Sequence, residues 1–247
     1  MSKFVEGRVV GRRRWTERLY SLQVDAEVAP FQAGQFTKLA LNINNEVVGR
    51  PYSFVNAPGQ NPLEFYFIQV PGGLLTQRLA MLAVGDAVLV LPNGFGFLTL
   101  SEVPEARHLW LLSTGTGIGP FLSILKTDEP WQRFDRVILA HGVSHADELA
   151  YADNIREFTQ QHGEQFRFVP FVSRAETDFA LQARIPEALT DGRLEAKAGV
   201  TLIPENSQVM LCGNPNMLRD TTEALLVRGL KKNRRHDPGH ITLESYW

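Results

Sequence analysis

A cluster of glycines in the second half of the chain forms the run Gly115-Thr116-Gly117-Ile118-Gly119-Pro120. Glycine lets the backbone approach a pyrophosphate closely. Pro120 suits the first position of a helix, whose N-terminus offers free N–H groups and the positive end of its dipole. The sixth residue is proline, so the run is not the G-x-G-x-x-G dinucleotide fingerprint. It indicates a nucleotide-phosphate site, with a purely structural turn as the alternative.

A second glycine-containing turn, Cys212-Gly213-Asn214-Pro215, follows the last apolar strand of the chain. In an open parallel sheet, ligands bind beyond the carboxyl ends of the strands. Both turns would lie at that end, which places Cys212 next to a bound nucleotide. An inert core cysteine is the alternative reading.

Two arginines follow another strand of the same half. Ser173-Arg174 ends that strand, and Arg184 comes after a short loop. A planar guanidinium suits a phosphate ester because it offers paired N–H donors. Two of them at the ligand edge favour NADP over NAD, since only NADP carries the 2′-phosphate. Unrelated surface arginines remain the alternative.

The first half contains two further anion-binding elements. Arg50-Pro51-Tyr52-Ser53 lies on a predicted strand, and Gly72-Gly73-Leu74-Leu75-Thr76 opens a predicted helix. An arginine and a helix N-terminus together suit the two charges of a dinucleotide pyrophosphate. Tyr52 adds a flat ring for stacking, and Ser53 adds a hydroxyl group.

The elements that carry these residues differ between the two halves. The first hundred residues show alternating apolar and polar segments at 19–24, 35–41 and 63–70, separated by turn residues. This pattern predicts a closed antiparallel β-barrel, interrupted by one helix at 74–83.

From residue 104 onward the pattern alternates between strand and helix, which predicts a parallel sheet flanked by helices. The predicted strands are 108–113, 136–140, 166–172 and 208–212, and the predicted helices begin at Pro120 or span 147–161 and 216–228. We therefore expect two domains, an antiparallel barrel at 1–100 and an α/β domain at 101–247.

Composition narrows the possible functions. The 247 residues are 44% hydrophobic and 21% charged, which is typical of a globular protein, and their net charge of −2 gives no general attraction for nucleic acid. The one cysteine rules out an intrachain disulfide and a built-in iron–sulfur cluster with four thiolates. We find no secretory signal and no apolar run near the roughly 20 residues that span a bilayer. A cytoplasmic protein without a membrane segment is expected.

Two basic runs stand out against this nearly neutral background, Arg12-Arg13-Arg14 and Lys231-Lys232-Asn233-Arg234-Arg235. Each is read either as an ordinary solvated face or as a docking patch for an acidic protein.

Five separated motifs occur in a fixed order: Arg-x-Tyr-Ser, Gly-Gly-x-x-Thr, Gly-Thr-Gly-x-Gly-Pro, Cys-Gly-Asn-Pro and a final Glu-x-Tyr-Trp. In this order they closely resemble the ferredoxin/flavodoxin–NADP reductases, in their bacterial branch, over the chain from Gly7 to Trp247. The resemblance implies an FAD-binding barrel followed by an NADP-binding α/β domain. It also implies ferredoxin or flavodoxin, an acidic electron carrier, as the partner. We expect a monomer.

The resemblance also implies roles for individual residues. Arg50 and the turn at Leu74–Thr76 would hold the FAD pyrophosphate, Tyr52 would stack on the isoalloxazine, and Ser53 would lie near its N5. Other expected FAD contacts are Pro51, Tyr66, Phe67, Ile68, Gln69, Leu74, Leu75, Thr76, Thr116 and Glu244. The expected NADP contacts are Gly115, Gly117, Val143, Ser144, Ser173, Arg174, Arg184, Gly213, Asn214 and Asp220. Of these, Ser173, Arg174 and Arg184 would hold the 2′-phosphate end.

We expect Ser53, Cys212 and Glu244 to surround the point of hydride transfer, with Glu244 delivering a proton and polarising the nicotinamide.

Two features depart from the family pattern. Ser144 stands where relatives often have an arginine, so Arg174 and Arg184 would carry the selectivity. The chain ends in Tyr246-Trp247, which we expect to cover the isoalloxazine and to contact the FAD adenine, respectively.

Other readings remain open. The acceptor could be a ferric chelate or a free flavin instead of a carrier protein, or the chain could be an electron-relay subunit of a larger assembly.

The pairs His141/His145 and His236/His240 have the spacing of zinc ligands on a helix. Their segments contain glycine or proline, so we predict no metal site.

Overall fold

The computed structural model describes residues 3–245, which form two compact units. The first unit contains the described chain up to Thr99 together with Gly119–Thr127. The second contains Leu100–Ile118 and the described chain from Asp128 onward. No helix within residues 3–245 is both long enough and apolar enough to cross a membrane.

The first unit is built on a six-stranded antiparallel sheet with the order β4-β3-β6-β1-β2-β5. Its strands are β1 (Val5–Arg14), β2 (Leu19–Asp25), β3 (Phe36–Ile43), β4 (Glu46–Ser53), β5 (Leu63–Ile68) and β6 (Ala87–Val90). The two outer strands meet just after β4, where Phe54 forms an antiparallel bridge with Phe65. The Val55 N–H also donates to the Glu64 carbonyl at 2.9 Å. These contacts close the sheet, as expected for a barrel.

Alternate side chains of the strands fill the interior of this unit, because successive residues of a strand point to opposite faces. Leu22, Leu39, Phe65 and Val90 are fully buried there. Two helices complete the unit, α1 (Leu74–Met81) and α2 (Gly119–Leu125).

Helix α2 is fastened to the segment that follows β4. The Ser123 hydroxyl donates to the Asn56 carbonyl at 2.7 Å, and the Lys126 ammonium donates to the Val55 carbonyl at 3.0 Å. The start of α2 lies near Ser53 as well, since a Cβ on Gly119 would be 3.8 Å from the Ser53 Cβ.

The second unit is built on a five-stranded parallel sheet with the order β11-β10-β7-β8-β9. Its strands are β7 (His108–Thr114), β8 (Arg136–Val143), β9 (Phe166–Val172), β10 (Ser207–Gly213) and β11 (Ile241–Ser245). Its helices are α3 (Glu129–Arg133), α4 (Ala152–His162), α5 (Ile185–Thr190), α6 (Arg193–Ala198) and α7 (Pro215–Val227). The core on one face joins Trp110, Ile138 and Val209 of the strands to Leu189 and Leu225 of the helices. The strands are apolar along their length because both faces of the sheet are covered.

The helix predicted at 147–161 is wrong at its start. A 3₁₀ turn at Ala146–Glu148 comes first, and α4 begins only at Ala152. Tyr151 separates them with a φ of 61°, a backbone conformation that a helix does not contain. The Glu148 carboxylate binds the preceding loop, because it accepts hydrogen bonds from the Ser144 and His145 N–H groups at 2.8 and 3.0 Å.

The sequence pattern predicts no strand near the end of the chain, but the structure has one. β11 pairs with β10 in parallel register, from Ile241 beside Val209 to Ser245 beside Gly213. This pairing joins segments far apart in the sequence, so a local pattern does not reveal it. Tyr246 and Trp247 lie outside the described residues.

Candidate functional site

The glycine turn after β7 lies at the carboxyl edge of the parallel sheet. Gly115–Ile118 forms a 3₁₀ turn. Gly115 has a φ of +54°, and a Cβ added to it would meet nothing within 4 Å. A Cβ added to Gly117 would instead lie 2.5 Å from the Cys212 carbonyl oxygen. Gly117 is therefore required for the turn to pack against β10, and Gly115 leaves the backbone open to a ligand.

Four polar or ionisable residues form a row across this edge of the sheet. Cys212 pairs in register with Glu244 on one side and with Ser113 on the other, and Ser113 pairs with His141. In-register residues of parallel strands project to the same face, about 4.8 Å apart. The row Glu244–Cys212–Ser113–His141 thus brings together two predicted residues and two that the sequence reading missed.

Glu244 has the chemistry of a proton-holding group. Its Oε2 is buried and has no hydrogen-bond partner within residues 3–245. Burial raises the pKa of this carboxyl to about 7. Near neutral pH it therefore holds and releases a proton readily. Cys212 beside it is fully buried.

The other end of the row is a buried hydrogen-bonded pair. The Ser113 Oγ and the His141 Nδ1 are 3.0 Å apart, and both residues are fully buried. Burial lowers the pKa of His141 to about 4, so its imidazole is neutral at physiological pH. The signal in the sequence was a serine and a histidine near the ends of two neighbouring apolar strands.

Two loops that carry predicted NADP contacts are joined by backbone hydrogen bonds. The Ser173 N–H donates to the Val143 carbonyl and the Arg174 N–H to the Ser144 carbonyl, both at 3.0 Å. The Arg174 side chain is exposed. The structure thus brings Val143, Ser144, Ser173 and Arg174 together.

Arg184 flanks the same loops. It precedes α5, and its N–H donates to the Glu187 carboxylate at 3.1 Å. The adjacent Ile185 packs on β8, where its Cδ1 is 3.6 Å from the position of a Cβ on Gly142. Arg184 is exposed, as Arg174 is. The arrangement leaves two guanidinium groups available to an anion.

The turn after β10 is held by a residue that the sequence reading did not single out. The Thr114 Oγ1 accepts hydrogen bonds from the N–H and the Nδ2 of Asn214, each at 3.3 Å. The Asn214 Oδ1 in turn caps α7 by accepting the Met217 N–H at 2.9 Å. The Asn214 side chain is thus used within the protein. Asp220 lies further along α7, where it pairs with Arg219 at 2.9 Å.

In the first unit, the predicted flavin residues lie on β4. The Arg50 side chain is exposed and donates to the Gly49 carbonyl at 2.8 Å. Tyr52 and Ser53 are buried, and the Tyr52 ring meets the Phe67 ring edge-on at 6.0 Å. Burial raises the pKa of Tyr52, so its hydroxyl stays protonated.

The predicted phosphate-binding turn opens α1, which lies against β4. Gly73 is the N-cap. Since glycine has no side chain to cap with, the first N–H groups of the helix remain available to an anion. The Thr76 hydroxyl fixes the turn by accepting the Val70 N–H at 3.1 Å. Tyr66, Phe67 and Ile68 lie on β5, and Gln69 follows directly.

These features fit dinucleotide cofactors. The first unit offers an uncapped helix N-terminus and the exposed Arg50, which match a pyrophosphate. The second offers the open backbone at Gly115, two exposed arginines and the Glu244 carboxylate oxygen, which has no hydrogen-bond partner among residues 3–245. Within residues 3–245, no three His, Cys, Asp or Glu side chains are grouped so as to hold a metal ion.

Comparison with protein families matches both halves of the chain. Residues 14–93 match the oxidoreductase FAD-binding domain, and residues 111–223 match the oxidoreductase NAD-binding domain.

Curated relatives match over the full length. The flavodoxin/ferredoxin–NADP reductases of Shigella flexneri and Escherichia coli are each 44% identical over 248 residues, which covers 100% of both chains. The ferredoxin–NADP reductase of Pseudomonas aeruginosa is 35% identical and covers 99% of this chain and 98% of its own.

Among solved structures, a ferredoxin NADP⁺ reductase from Neisseria gonorrhoeae with bound FAD and NADP superposes with a TM-score of 0.95. It is 35% identical, with 100% of both chains covered.

Proposed function

This chain belongs to the family of flavodoxin/ferredoxin–NADP reductases, and we propose that it transfers electrons between NADPH and a one-electron carrier protein, ferredoxin or flavodoxin, through bound FAD. One NADPH and two oxidised carriers would give NADP⁺, one proton and two singly reduced carriers. Bound FAD supplies the essential chemistry, which is to accept two electrons as a hydride and to return them one at a time.

The observation that carries the proposal is the position of Glu244 beside Cys212 at the edge that bears the glycine turn. Hydride transfer needs a positioned ring, a water-poor surrounding and a place for the proton. Cys212 pairs with Glu244 in the sheet and is fully buried, so water is excluded from its side chain. Glu244 holds a proton near neutral pH because burial raises its pKa to about 7. Ser53 would contribute a hydroxyl near flavin N5.

The residues of the first unit would bind FAD. Arg50 and the first N–H groups of α1 would neutralise the pyrophosphate. Tyr52, with Pro51 and the segment Tyr66–Gln69, would hold the ring system. Thr116 and the two aromatic residues at 246 and 247 would also contact the bound FAD.

The residues of the second unit would bind NADP. The open backbone at Gly115 and Gly117 suits the pyrophosphate, with Gly213 and Asn214 beside it. Arg174 and Arg184 would hold the 2′-phosphate through charge-assisted hydrogen bonds, together with Ser173. Val143, Ser144 and Asp220 would contact the remaining parts of NADP.

We further propose a cytoplasmic, monomeric enzyme whose partner is an acidic carrier. The absence of a membrane-spanning helix within the described residues is compatible with that location.

Visible spectroscopy of the purified protein tests the proposal. The expected spectrum has the two absorption bands of a flavin, and NADPH should bleach them faster than NADH under anaerobic conditions. Reoxidation of the reduced protein by flavodoxin, ferredoxin and a ferric chelate then identifies the acceptor. A folded but colourless protein that cannot be reconstituted with FAD would refute the proposal.

A further inference from the structure

Two basic runs on this chain each have the charge to attract an acidic carrier, and the structure distinguishes them. We infer that the carrier docks on the tip of the β1–β2 hairpin, through Arg12, Arg13, Arg14 and Arg18, and not on the loop at 231–235. We call these four residues the arginine hairpin. The inference rests on the proposed function, because it assumes that electrons leave from a flavin bound beside Tyr52 in the first unit.

The arginine hairpin is an exposed tip that is rich in positive charge on both of its faces. Residues 12–18 contain four arginines and one glutamate, and all four arginine side chains are exposed. Among the residues that the structure describes, none of these arginines forms an ion pair. Their charge is therefore available to a partner.

Aromatic rings hold two of these guanidinium groups in place. The Arg13 Cζ lies 3.6 Å from the centre of the Trp15 ring, and the Arg12 Cζ lies 5.2 Å from that of Tyr20. Such cation–π contacts restrict long side chains while leaving the charge in place. An ordered charge loses less conformational entropy on binding than a mobile one.

One of these rings, Tyr20, connects the hairpin to the residues assigned to the flavin. The Tyr20 ring stacks on Phe67 at 5.9 Å, and the Phe67 ring meets Tyr52 at 6.0 Å. At the tip, the Gln69 N–H donates to the Arg18 carbonyl at 2.7 Å. The hairpin therefore lies beside Tyr52 and Gln69. A carrier docked there would be held close to the ring from which it receives its electron.

The loop at 231–235 lies at the edge of the parallel sheet that is opposite to the candidate nucleotide site. It directly precedes β11, with Lys232 bridged to Ile241 and the His240 N–H donating to the Lys231 carbonyl at 2.7 Å. This is the amino-terminal edge of the parallel sheet, whereas Glu244 and Cys212 lie towards the carboxyl edge. The seven residues of β10 separate these edges by about 20 Å.

Part of the basic loop also serves the structure of the second unit. The Asn233 Nδ2 donates to the Glu102 carbonyl at 2.6 Å, and Arg235 pairs with the Glu102 carboxylate at 3.0 Å. We therefore assign Lys231, Lys232 and Arg234 to an ordinary solvated face.

Two matched triple variants test this assignment. R12Q/R13Q/R14Q and K231Q/K232Q/R234Q each remove three positive charges and shift the net charge from −2 to −5. Each is assayed with an acidic flavodoxin and, separately, with a small neutral quinone as electron acceptor. The lysine triple R12K/R13K/R14K restores the charge without the planar guanidinium groups.

We expect kcat/KM for flavodoxin to fall at least about tenfold in R12Q/R13Q/R14Q at low ionic strength, because electrostatic steering raises association rates by one to three orders of magnitude. The difference should shrink at high salt, where charges are screened. K231Q/K232Q/R234Q and the lysine triple should remain near the wild type. Quinone reduction should be unchanged in every variant, which shows that flavin and NADPH are still bound.

Three results would overturn the inference. One is a larger loss of flavodoxin reduction in K231Q/K232Q/R234Q than in R12Q/R13Q/R14Q. Another is a lysine triple as impaired as the glutamine triple. The third is a parallel loss of quinone reduction, which would assign the arginines to the cofactor. If the wild type reduces quinone but no carrier, the carrier part of the proposed function fails along with the docking surface, while the flavin and NADPH part stands.

Discussion

At the scale of single residues, the proposed preference for NADPH depends on two exposed guanidinium groups. Arg174 and Arg184 are exposed, and their backbone N–H groups are fixed by hydrogen bonds. Ser144 contributes no charge there. Discrimination between NADPH and NADH would therefore rest on these two arginines.

We predict that Arg174→Ala or Arg184→Ala raises the KM for NADPH about tenfold to a hundredfold, since a hydrogen bond to a charged group contributes roughly 1.5–3 kcal/mol. The KM for NADH should stay nearly constant. Steady-state kinetics with both coenzymes measure this effect. Arg167→Ala serves as the control because Arg167 is also exposed but lies at the opposite end of β9. An equal loss for both coenzymes would contradict the 2′-phosphate role.

At the scale of elements, the packing of the glycine turn on β10 determines the shape of the candidate nucleotide site. Gly117 has the Cys212 carbonyl oxygen 2.5 Å from the position of a Cβ, so any larger residue must push the turn away from the strand. The carbonyl belongs to the backbone of β10, which cannot move aside as a flexible side chain could.

Gly117→Ala should therefore lower the free energy of unfolding by about 1–3 kcal/mol and weaken NADP⁺ binding. Denaturant titration and coenzyme titration measure the two effects. Gly142→Ala is the matched control on the neighbouring strand, where the new methyl group would be 3.2 Å from the Thr114 Cγ2, a side-chain atom. If both variants behave alike, the close approach of the turn to β10 is not what shapes the site.

At the scale of the whole molecule, the polar row affects how stability depends on pH. His141 has a native pKa of about 4 against an ordinary value of 6.5, so the unfolded chain takes up this proton first as the pH falls. Its effect on stability is therefore unfavourable below pH 6.5. Glu244 has a native pKa of about 7 against 4.5, so the native state holds this proton more tightly. Its contribution is present at low pH and is lost as the pH rises through 7.

The two groups oppose each other between pH 4.5 and 6.5, so their contributions to the stability of the wild type nearly cancel over that range. Glu244→Gln should expose the histidine effect, so that stability rises with pH by up to about 1.4 kcal/mol per unit. His141→Gln should show the reverse slope. Urea unfolding of the three proteins across this range measures the slopes. Parallel curves would mean that the two groups do not titrate as their burial implies.

The amino-acid sequence by itself determined the features that depend on local order. The alternating strands around Leu22 and Phe65, the apolar strands ending near Ser113 and Cys212, and the five ordered motifs predicted the fold class and the family, and the structure and the relatives confirm both. Side-chain period and turn chemistry are short-range properties that a single chain segment displays.

Only the tertiary structure decided which distant residues meet. The strand that carries Glu244, the pairing of Ser113 with His141, and the Thr114 hydroxyl that holds Asn214 all join segments far apart in the chain. The break at Tyr151 likewise accompanies hydrogen bonds that the N–H groups of the preceding loop donate to the Glu148 carboxylate. The physical reason is that register between strands and the burial of polar groups arise from packing, and packing is a property of the folded molecule.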